Sequence, residues 1–355
     1  MNKESILIAG EFQRDRLGAS YERAFQKLGH AVHRFEVPTE MAQLAWPARN
    51  RVLHRLTIGS YAARRAWSKR YNQRLRQAAE ISDAPWVFLH NGIWVMPETV
   101  RALREQGRRV AIFHADNPYP PHYNHRPEGL LAAREADLYL IWSEQLVAKL
   151  RRDGVNAHFL AFGWDPDVMP YHGELPQGSW PGVVFIGGWD REREAFLDQI
   201  ASVVPLRIYG PGYWGSRTRR DGRARACWQG RELDLAESAR VIRESAVCLN
   251  ILRTQHVIDG EPDGVIMRHF EVPGAGGFLL SSRSSTADVM FLADQHADYF
   301  ANADECIGQC VRYIDDPDRR AAIVERGHDL VREQHTYLHR AGEVVARMRS
   351  VGSVR

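Results

Sequence analysis

Arg268 and Glu271 stand three residues apart in Val265–Gly277, VIMRHFEVPGAGG. On a helix that spacing puts both side chains on one face. A carboxylate just ahead of a glycine cluster that feeds an apolar strand can accept both hydroxyls of a ribose. A guanidinium beside it can grip a diphosphate through paired hydrogen bonds. Gly276 and Gly277 would let backbone N–H groups approach the same anion, with a helix start adding positive potential. The same letters also spell a plainer alternative: a helix C-cap whose glycines turn the chain into a strand, with Arg268 and Glu271 as a surface pair.

The elements around this segment decide what it can reach. In the first half, apolar runs at Ser5–Gly10, Ala31–Val37, Trp86–His90, Arg109–His114, Glu135–Trp142 and Ala157–Ala161 alternate with helical patterns at Tyr21–Leu28 and Pro97–Gln106. Such runs are strands buried on both faces of a parallel sheet. Gly163–Pro181 is dense in Gly and Pro and reads as a linker. The alternation then restarts with Gly182–Gly187, a helix over Glu192–Ala201, Leu206–Gly210, a helix near Leu233–Glu244, Ala246–Ile251 and Gly277–Ser281, before a helical tail from Asp304. Leu292–Phe300 fits neither period. The expected fold is α/β, two Rossmann-like domains facing a central cleft. They cover residues 1–165 and 166–330, with a C-terminal helix over 331–355 packing back on the first domain.

Ligands of open α/β sheets bind at the carboxyl ends of the strands. In this chain those ends carry Glu11, His90 with Asn91, His114 with Asp116, Gly187 with Gly188, Tyr209 with Gly210, and Asn250 with Arg253.

Several segments in order resemble the group-1-type glycosyltransferases of the GT-B fold, and within them the spore maturation protein CgeB-like family. VFIGGWDREREAFL (Val184–Leu197) resembles that family's strand, glycine turn and Arg-bearing helix, and LRIYGPGYWG (Leu206–Gly215) its next strand. VCLNILR (Val247–Arg253) precedes the R-x-F-E segment Arg268–Glu271, and EQHTYLHR (Glu333–Arg340) resembles the terminal helix. LGHAVHRFEV (Leu28–Val37), FHADNP (Phe113–Pro118) and AFGWDP (Ala161–Pro166) are similar to the weaker N-domain pattern. The resemblance implies a nucleoside-diphosphate sugar as donor, bound by the second domain. Glu271 would hold the donor ribose, Arg268 with Arg193 or Arg253 would face the diphosphate, and Gly187-Gly188 would admit it. Related families place a second acid eight residues before the ribose carboxylate, against the sugar. Here that is Asp263, a carbon shorter than the usual Glu, and a turn role in Asp263-Gly264 fits equally. Pro273 should break or kink the helix after Glu271.

The acceptor belongs on the first domain. An inverting enzyme needs a base there, and Asp116, His114 and Glu11 are the candidates, in that order. A retaining enzyme can let the departing diphosphate take the proton. The acceptor itself is open: a glycan, a lipid-linked glycan, a small molecule or a modified nucleic acid.

No metal is expected. Asp165-Pro-Asp167 and Asp316-Pro-Asp318 mimic D-x-D but sit at helix-start or linker positions, where Asp-Pro is a capping signal. Gly210–Gly215 matches G-x-G-x-x-G, but it lies in the second half, contains Pro211 and lacks a following apolar helix, which argues against a dinucleotide. Cys306 and Cys310 are read as buried small side chains rather than a metal pair, and the four cysteines imply a reducing, cytoplasmic setting. MNKESILIAGEFQRD reads as a first strand, not a signal peptide.

Net charge +3 hides an asymmetry: 24 Lys and Arg against 17 Asp and Glu over residues 1–165, then 23 against 27. Arg49–Arg76 holds nine of the basic residues and no acid, with Trp67, Tyr71 and Leu75 at helical spacing. This is either a solvated face over an apolar stripe or a docking surface for anionic lipid or acceptor, which would seat the protein peripherally at the inner membrane face. Forty-three Arg against four Lys fit a GC-rich bacterial genome. Two further readings remain open at this level: a nucleotide-sugar epimerase on the same scaffold, and a non-catalytic sugar-nucleotide or polyanion binder.

Overall fold

The structure, a computed structural model, describes residues 4–36, 61–92, 94–119, 127–171, 173 and 180–351. The chain divides into two compact units, Met1–Leu160 with Arg340–Arg355, and Ala161–His339.

The first unit runs β1 (Ser5–Gly10), α1 (Leu17–Lys27), β2 (Ala31–Glu36), α2 (Tyr61–Ser82), β3 (Trp86–His90), α3 (Pro97–Glu105), β4 (Arg109–His114), α4 (Pro127–Glu135), β5 (Leu138–Ile141), α5 (Glu144–Arg152) and β6 (Ala157–Phe159). Its strands form one parallel sheet in the order β2-β1-β3-β4-β5-β6. Ile6–Ala9, Trp86–Leu89 and Val110–Phe113 are buried throughout, which is why they read as unbroken apolar runs. Tyr21 on α1 packs its ring 4.8 Å from Phe88 and 5.6 Å from Phe113, so helix and sheet share an aromatic core. Gly18 is needed because a Cβ there would strike the Glu11 carbonyl, where the chain leaves β1 for α1.

On α2 the expected stripe is real. Tyr71 and Leu75 are buried, with Trp67 half-buried and Ala79 continuing the face. Residues 49–60 of the basic stretch, and the side chains of 61–65, lie outside those described; Lys69, Arg70, Arg74 and Arg76 are exposed.

The second unit runs β7 (Trp180–Ile186), α6 (Arg191–Ile200), β8 (Leu206–Tyr209), the short helices α7 (Tyr213–Ser216) and α8 (Arg223–Cys227), α9 (Leu235–Glu244) and β9 (Ser245–Asn250). A small antiparallel pair follows, β10 (Val257–Ile258) and β11 (Glu261–Pro262). The unit ends with α10 (Arg268–Gly274), β12 (Leu279–Ser282), α11 (Ser285–Met290), β13 (Asp298–Phe300), α12 (Ala303–Asp315) and α13 (Pro317–Gln334). Its main sheet is parallel, in the order β13-β12-β9-β7-β8. Cys306 and Cys310 are free thiols buried on α12 with Val183, Phe185, Leu197 and Tyr313. Asp316 caps α13 by accepting the Arg319 N–H at 3.0 Å, with Pro317 next in line, so this D-P-D is a helix start. In Asp165-Pro-Asp167, Asp165 Oδ1 accepts the Asp167 N–H at 3.1 Å within a turn.

The unit boundary falls five residues before the sequence-based one. Residues 161–164 are tied to the far end of the second unit, where Trp164 N–H donates to His335 O at 2.9 Å and Tyr337 N–H to Trp164 O at 3.1 Å. From Arg340 onward, α14 (Tyr337–Val351) belongs to the first unit, where Arg109 Nη1 donates to Met348 O at 3.2 Å.

Helix α10 does not break at Pro273. It runs on to Gly274 with Ala275 as its cap, so Pro273 costs only the single bond that an N–H there would have given to the His269 carbonyl. Gly277 N–H then returns to Val272 O and Gly276 N–H to Pro273 O, both at 2.9 Å, with Gly276 at φ +79°. This pair of bonds is a Schellman motif. A Cβ at Gly276 would also strike the Tyr171 ring. Gly276→Ala therefore combines a left-handed penalty with a collision, and should lower stability by about 2 kcal/mol. Urea or thermal unfolding of the variant checks this, and Tyr171→Ala in the same chain should restore only the part due to the collision.

Candidate functional site

The carboxyl ends of β7 and β9 are joined by one buried side chain. The turn after β7, Gly187 to Asp190, leads into α6, where Asp190 caps the helix by accepting the Arg193 N–H at 2.8 Å. That cap holds Arg193 at the first turn with its guanidinium pointing inward. Arg193 Nε donates to Ile251 O at 3.1 Å, Nη2 donates to the same oxygen, and Nη1 donates to Gly188 O at 3.2 Å. Burial, then repulsion from Arg253 and Arg268, pulls its pKa down to about 9 against the opposing pull of Asp190, which still leaves it charged at neutral pH. Arg193 was expected to face a diphosphate; its donors are instead committed to backbone carbonyls, and it is 6 % exposed.

Two other guanidinium groups lie beside it, both partly open to solvent. Arg268, the first residue of α10, donates from Nε to Ile186 O at 3.2 Å and from Nη1 to Glu271 Oε2. Glu271 itself is buried. The one-turn pairing expected from the spacing is therefore present. Arg253 follows β9, with Nε 3.7 Å from Asp190 Oδ2, and lies so close to Gly188 that a Cβ there would strike its Nη2. Around one glycine turn the chain thus assembles Arg193, Arg253 and Arg268 with Asp190 and Glu271, a net charge of +1.

The neighbouring loop is packed by backbone contact. A Cβ at Gly210 would meet the Gly187 carbonyl, whose oxygen accepts the Trp214 indole N–H at 2.9 Å. Trp228 Nε1 donates to Gly210 O at 3.1 Å. Tyr209, at the end of β8, gives its carbonyl to Gly187 N–H at 2.9 Å. Glu194 and Asp198 on α6 hold the Arg-rich stretch beyond: they accept the backbone N–H of Arg219 at 2.8 Å and of Ala224 at 2.6 Å.

Asn250 is buried and its amide donates to Ser281 Oγ at 2.9 Å, across β9 and β12. Ser281 Oγ also lies 3.2 Å from His269 Nε2, while His269 Nδ1 is 3.1 Å from the Ile266 N–H. With Nδ1 accepting that N–H, Nε2 must carry the proton and donate to Ser281, whose hydroxyl passes on to Ser282 O at 3.0 Å. This ladder fixes the first turn of α10, and hence Arg268 and Glu271, to the sheet.

Three of the residues expected to touch a donor have other duties. Gly276 and Gly277 cannot offer N–H groups to a diphosphate, because both are spent in the C-cap of α10, at the opposite end of the helix from Arg268. The plainer alternative is correct for these glycines. Asp263 is 1 % exposed, and its Oδ1 accepts from Ser285 Oγ at 2.5 Å and Thr286 Oγ1 at 2.7 Å, tying the loop before α10 to the start of α11. Sequence reasoning missed Asp190, Ser281 and His269. Asp190 had a usable signal, an aspartate directly before a helical pattern; the other two read as ordinary core positions.

In the first unit, His114 is buried at the end of β4, with Nδ1 2.9 Å from Asp116 O and 3.2 Å from Asp116 N. Burial lowers its pKa, opposed by Asp116. Glu11 pairs with Arg16 at 3.4 Å, both partly exposed. Asn91, at φ +63°, accepts the Ala115 N–H at 2.8 Å and so locks the β3 turn to the β4 turn. Among the described residues no cluster of three or more His, Cys, Asp or Glu is placed to hold a metal ion.

A family model described as glycosyl transferase-like matches residues 191–346, from the first residue of α6 into α14. No curated protein matches the chain. Among solved structures, the chain is similar to sucrose-phosphate synthase from Thermosynechococcus elongatus, with TM-score 0.68, 13% identity, and 99% and 100% of the two chains covered. A glycosyltransferase from Rickettsia africae gives TM-score 0.66 at 10% identity over 100% of both chains. HepE from Anabaena, in complex with UDP, gives 0.61 at 12% identity over 98% and 100%. At these identities the likeness establishes the fold, GT-B, over the whole chain.

Burial lowers His269 to about 4, and lowers His90, at the end of β3, to about 4 with help from His114 and Arg16. A histidine depressed in the folded state stays neutral there while the unfolded chain takes up a proton. Its stabilising effect is complete above about pH 6.5 and is lost as the pH falls towards 4, by at most roughly 3 kcal/mol per group. The thermal midpoint should drop across that window, and His269→Gln should flatten the drop; an unchanged slope in the variant would sink the assignment of a neutral His269.

Proposed function

We propose that the chain is a metal-independent glycosyltransferase of the group-1, CgeB-like kind, taking its sugar from a nucleoside-diphosphate donor held by the second unit. The observation that carries this reading is the cluster of Arg193, Arg253 and Arg268 around the Gly187–Gly188 turn, with Glu271 buried against Arg268. The glycosyl transferase-like match over residues 191–346 contains all of these but the two glycines, and the GT-B fold is a scaffold suited to such chemistry. HepE, of the same fold, binds UDP, which puts UDP first among the donors to try.

In this reading Glu271 accepts the ribose hydroxyls, its orientation held by Arg268. Arg268 and Arg253 stabilise the charge that grows on the leaving diphosphate. Arg193 contributes field but no contact, since its donors are already bonded. Fixed cations in a water-poor site need no reorganisation when charge develops, which is why they can replace a metal ion. The first unit takes the acceptor, with Asp116, His114 and Glu11 as the groups to test for a base. His114, kept neutral by burial, suits that role better than an ionised one would. The exposed basic residues of α2 would meet an anionic acceptor or a membrane surface. Free cysteines are in keeping with a cytoplasmic setting, and among the described residues no helix is long and apolar enough to cross a membrane.

Thermal-shift screening with UDP, GDP, dTDP, ADP and CMP, alone and as sugar conjugates, tests the donor. Stabilisation by none of them would count decisively against this reading, and release of free epimerised sugar from a conjugate would replace it with an epimerase. Arg268→Ala should lower kcat about a hundredfold. Glu271→Ala should mainly raise the donor KM, by about tenfold. Full activity and unchanged nucleotide affinity in both variants would remove the donor-site assignment.

A further inference from the structure

The arginines around the Gly187–Gly188 turn differ in what their donors are doing. Arg193 is bonded to two carbonyls and Arg268 to one carbonyl and Glu271. The Arg253 guanidinium makes no hydrogen bond among the described residues. Its Nε is sealed from water and lacks a hydrogen-bond partner, as does the atom it faces, Asp190 Oδ2, 3.7 Å away. Asp190 Oδ2 lies a further 3.6 Å from Arg193 Nε, so one oxygen sits between two cations and bonds to neither. The other oxygen of Asp190 is used in full, as the cap of α6.

An arginine held by charge alone, without a hydrogen bond, is restrained but cheaply released. Buried donors left unsatisfied gain more from a new acceptor than donors already paired. The absence of a side chain at residue 188 lets the guanidinium lie against the turn while it waits.

We propose that Asp190 is a positioning residue that parks Arg253 over Gly188 and surrenders it to the incoming diphosphate. Asp190 and the diphosphate compete for the same guanidinium. The carboxylate thereby sets anion affinity below what the arginine cluster would otherwise give, and it reclaims Arg253 as the product nucleotide leaves. This inference rests on the donor-site reading above and adds to it a mechanism for product release.

Asp190→Asn separates the two functions of the residue. It keeps an oxygen for the α6 cap and removes the charge that faces Arg253. UDP and inorganic pyrophosphate should each bind about tenfold more tightly to the variant by titration calorimetry, the order expected when the Arg253 guanidinium no longer has to leave an opposing charge to meet the anion. Steady-state kinetics should show a lower donor KM together with a lower kcat, because release of the nucleotide slows. A role confined to capping would move neither parameter in this way. In an Arg253→Gln background the same substitution should leave both affinities unchanged. Asp190→Ser, which also keeps a capping oxygen, should act in the same direction and covers the case of an unstable Asn variant. The proposal falls if Asp190→Asn leaves affinity unchanged, weakens it, tightens UDP but not pyrophosphate, or tightens binding equally without Arg253. Failure of the unsubstituted protein to bind any nucleoside diphosphate removes the donor-site reading and this inference together. Binding of UDP with no effect of Asp190→Asn removes this inference alone.

Discussion

The second unit depends on one buried cation. Arg193 spans from the first turn of α6 to the carbonyls of Ile251 and Gly188, and so joins the ends of two neighbouring strands. A guanidinium is suited to this because its donors are fixed in a plane and stay charged even when burial opposes it. Everything polar in the neighbourhood is arranged with respect to that group. Asp190 caps the helix that carries it, Gly188 leaves room for Arg253, and Arg253 and Arg268 sit at its edges with their own acids. The desolvation cost of burying a charge is met by hydrogen bonds, and the field it casts towards solvent is what makes the turn attractive to an anion.

This arrangement shares the work unevenly among residues of one type. Arg193 is structural, Arg268 is half committed, and Arg253 keeps its donors unspent. A count of arginines would have treated them alike. Their distinction lies in which carbonyls happen to be in reach, and that is set by how β7, β9 and α10 meet, not by local sequence. The same holds for the acids: Glu271 serves Arg268, whereas Asp263 is consumed by two hydroxyls on α11.

Strands buried on both faces leave an unmistakable trace, and Trp86–His90 and Arg109–His114 stand in the structure with the bounds their apolar runs suggest. Parallel α/β organisation in both halves follows from that trace. Glycines were harder, because a left-handed cap and an anion cradle demand the same residue. At Gly276 and Gly277 only the hydrogen bonds decide between them. Short elements such as α7, α8 and the β10–β11 pair carry too few residues for a period to emerge, and Leu292–Phe300 resolves into a strand only at its last three positions. Among site residues, the Arg268–Glu271 pair was readable from spacing. The bonds of Arg193 to Ile251 and of Asp263 to Ser285 and Thr286 were not, since each is made with a residue more than twenty positions away.

The ladder from Asn250 through Ser281 to His269 has a bearing on how this protein can change over time. Each member satisfies its neighbour, so the loss of any one strands a polar atom in a dry interior, at a cost one substitution cannot recover. Viable sequences must then keep all three or exchange them together for apolar residues of similar volume. Because the ladder holds the turn that bears Arg268 and Glu271, an apolar exchange would retain the fold while loosening the site. Selection for stability alone would accept that exchange; selection for activity would not. The three polar residues should accordingly drift as a block, in step with the two charged ones they support.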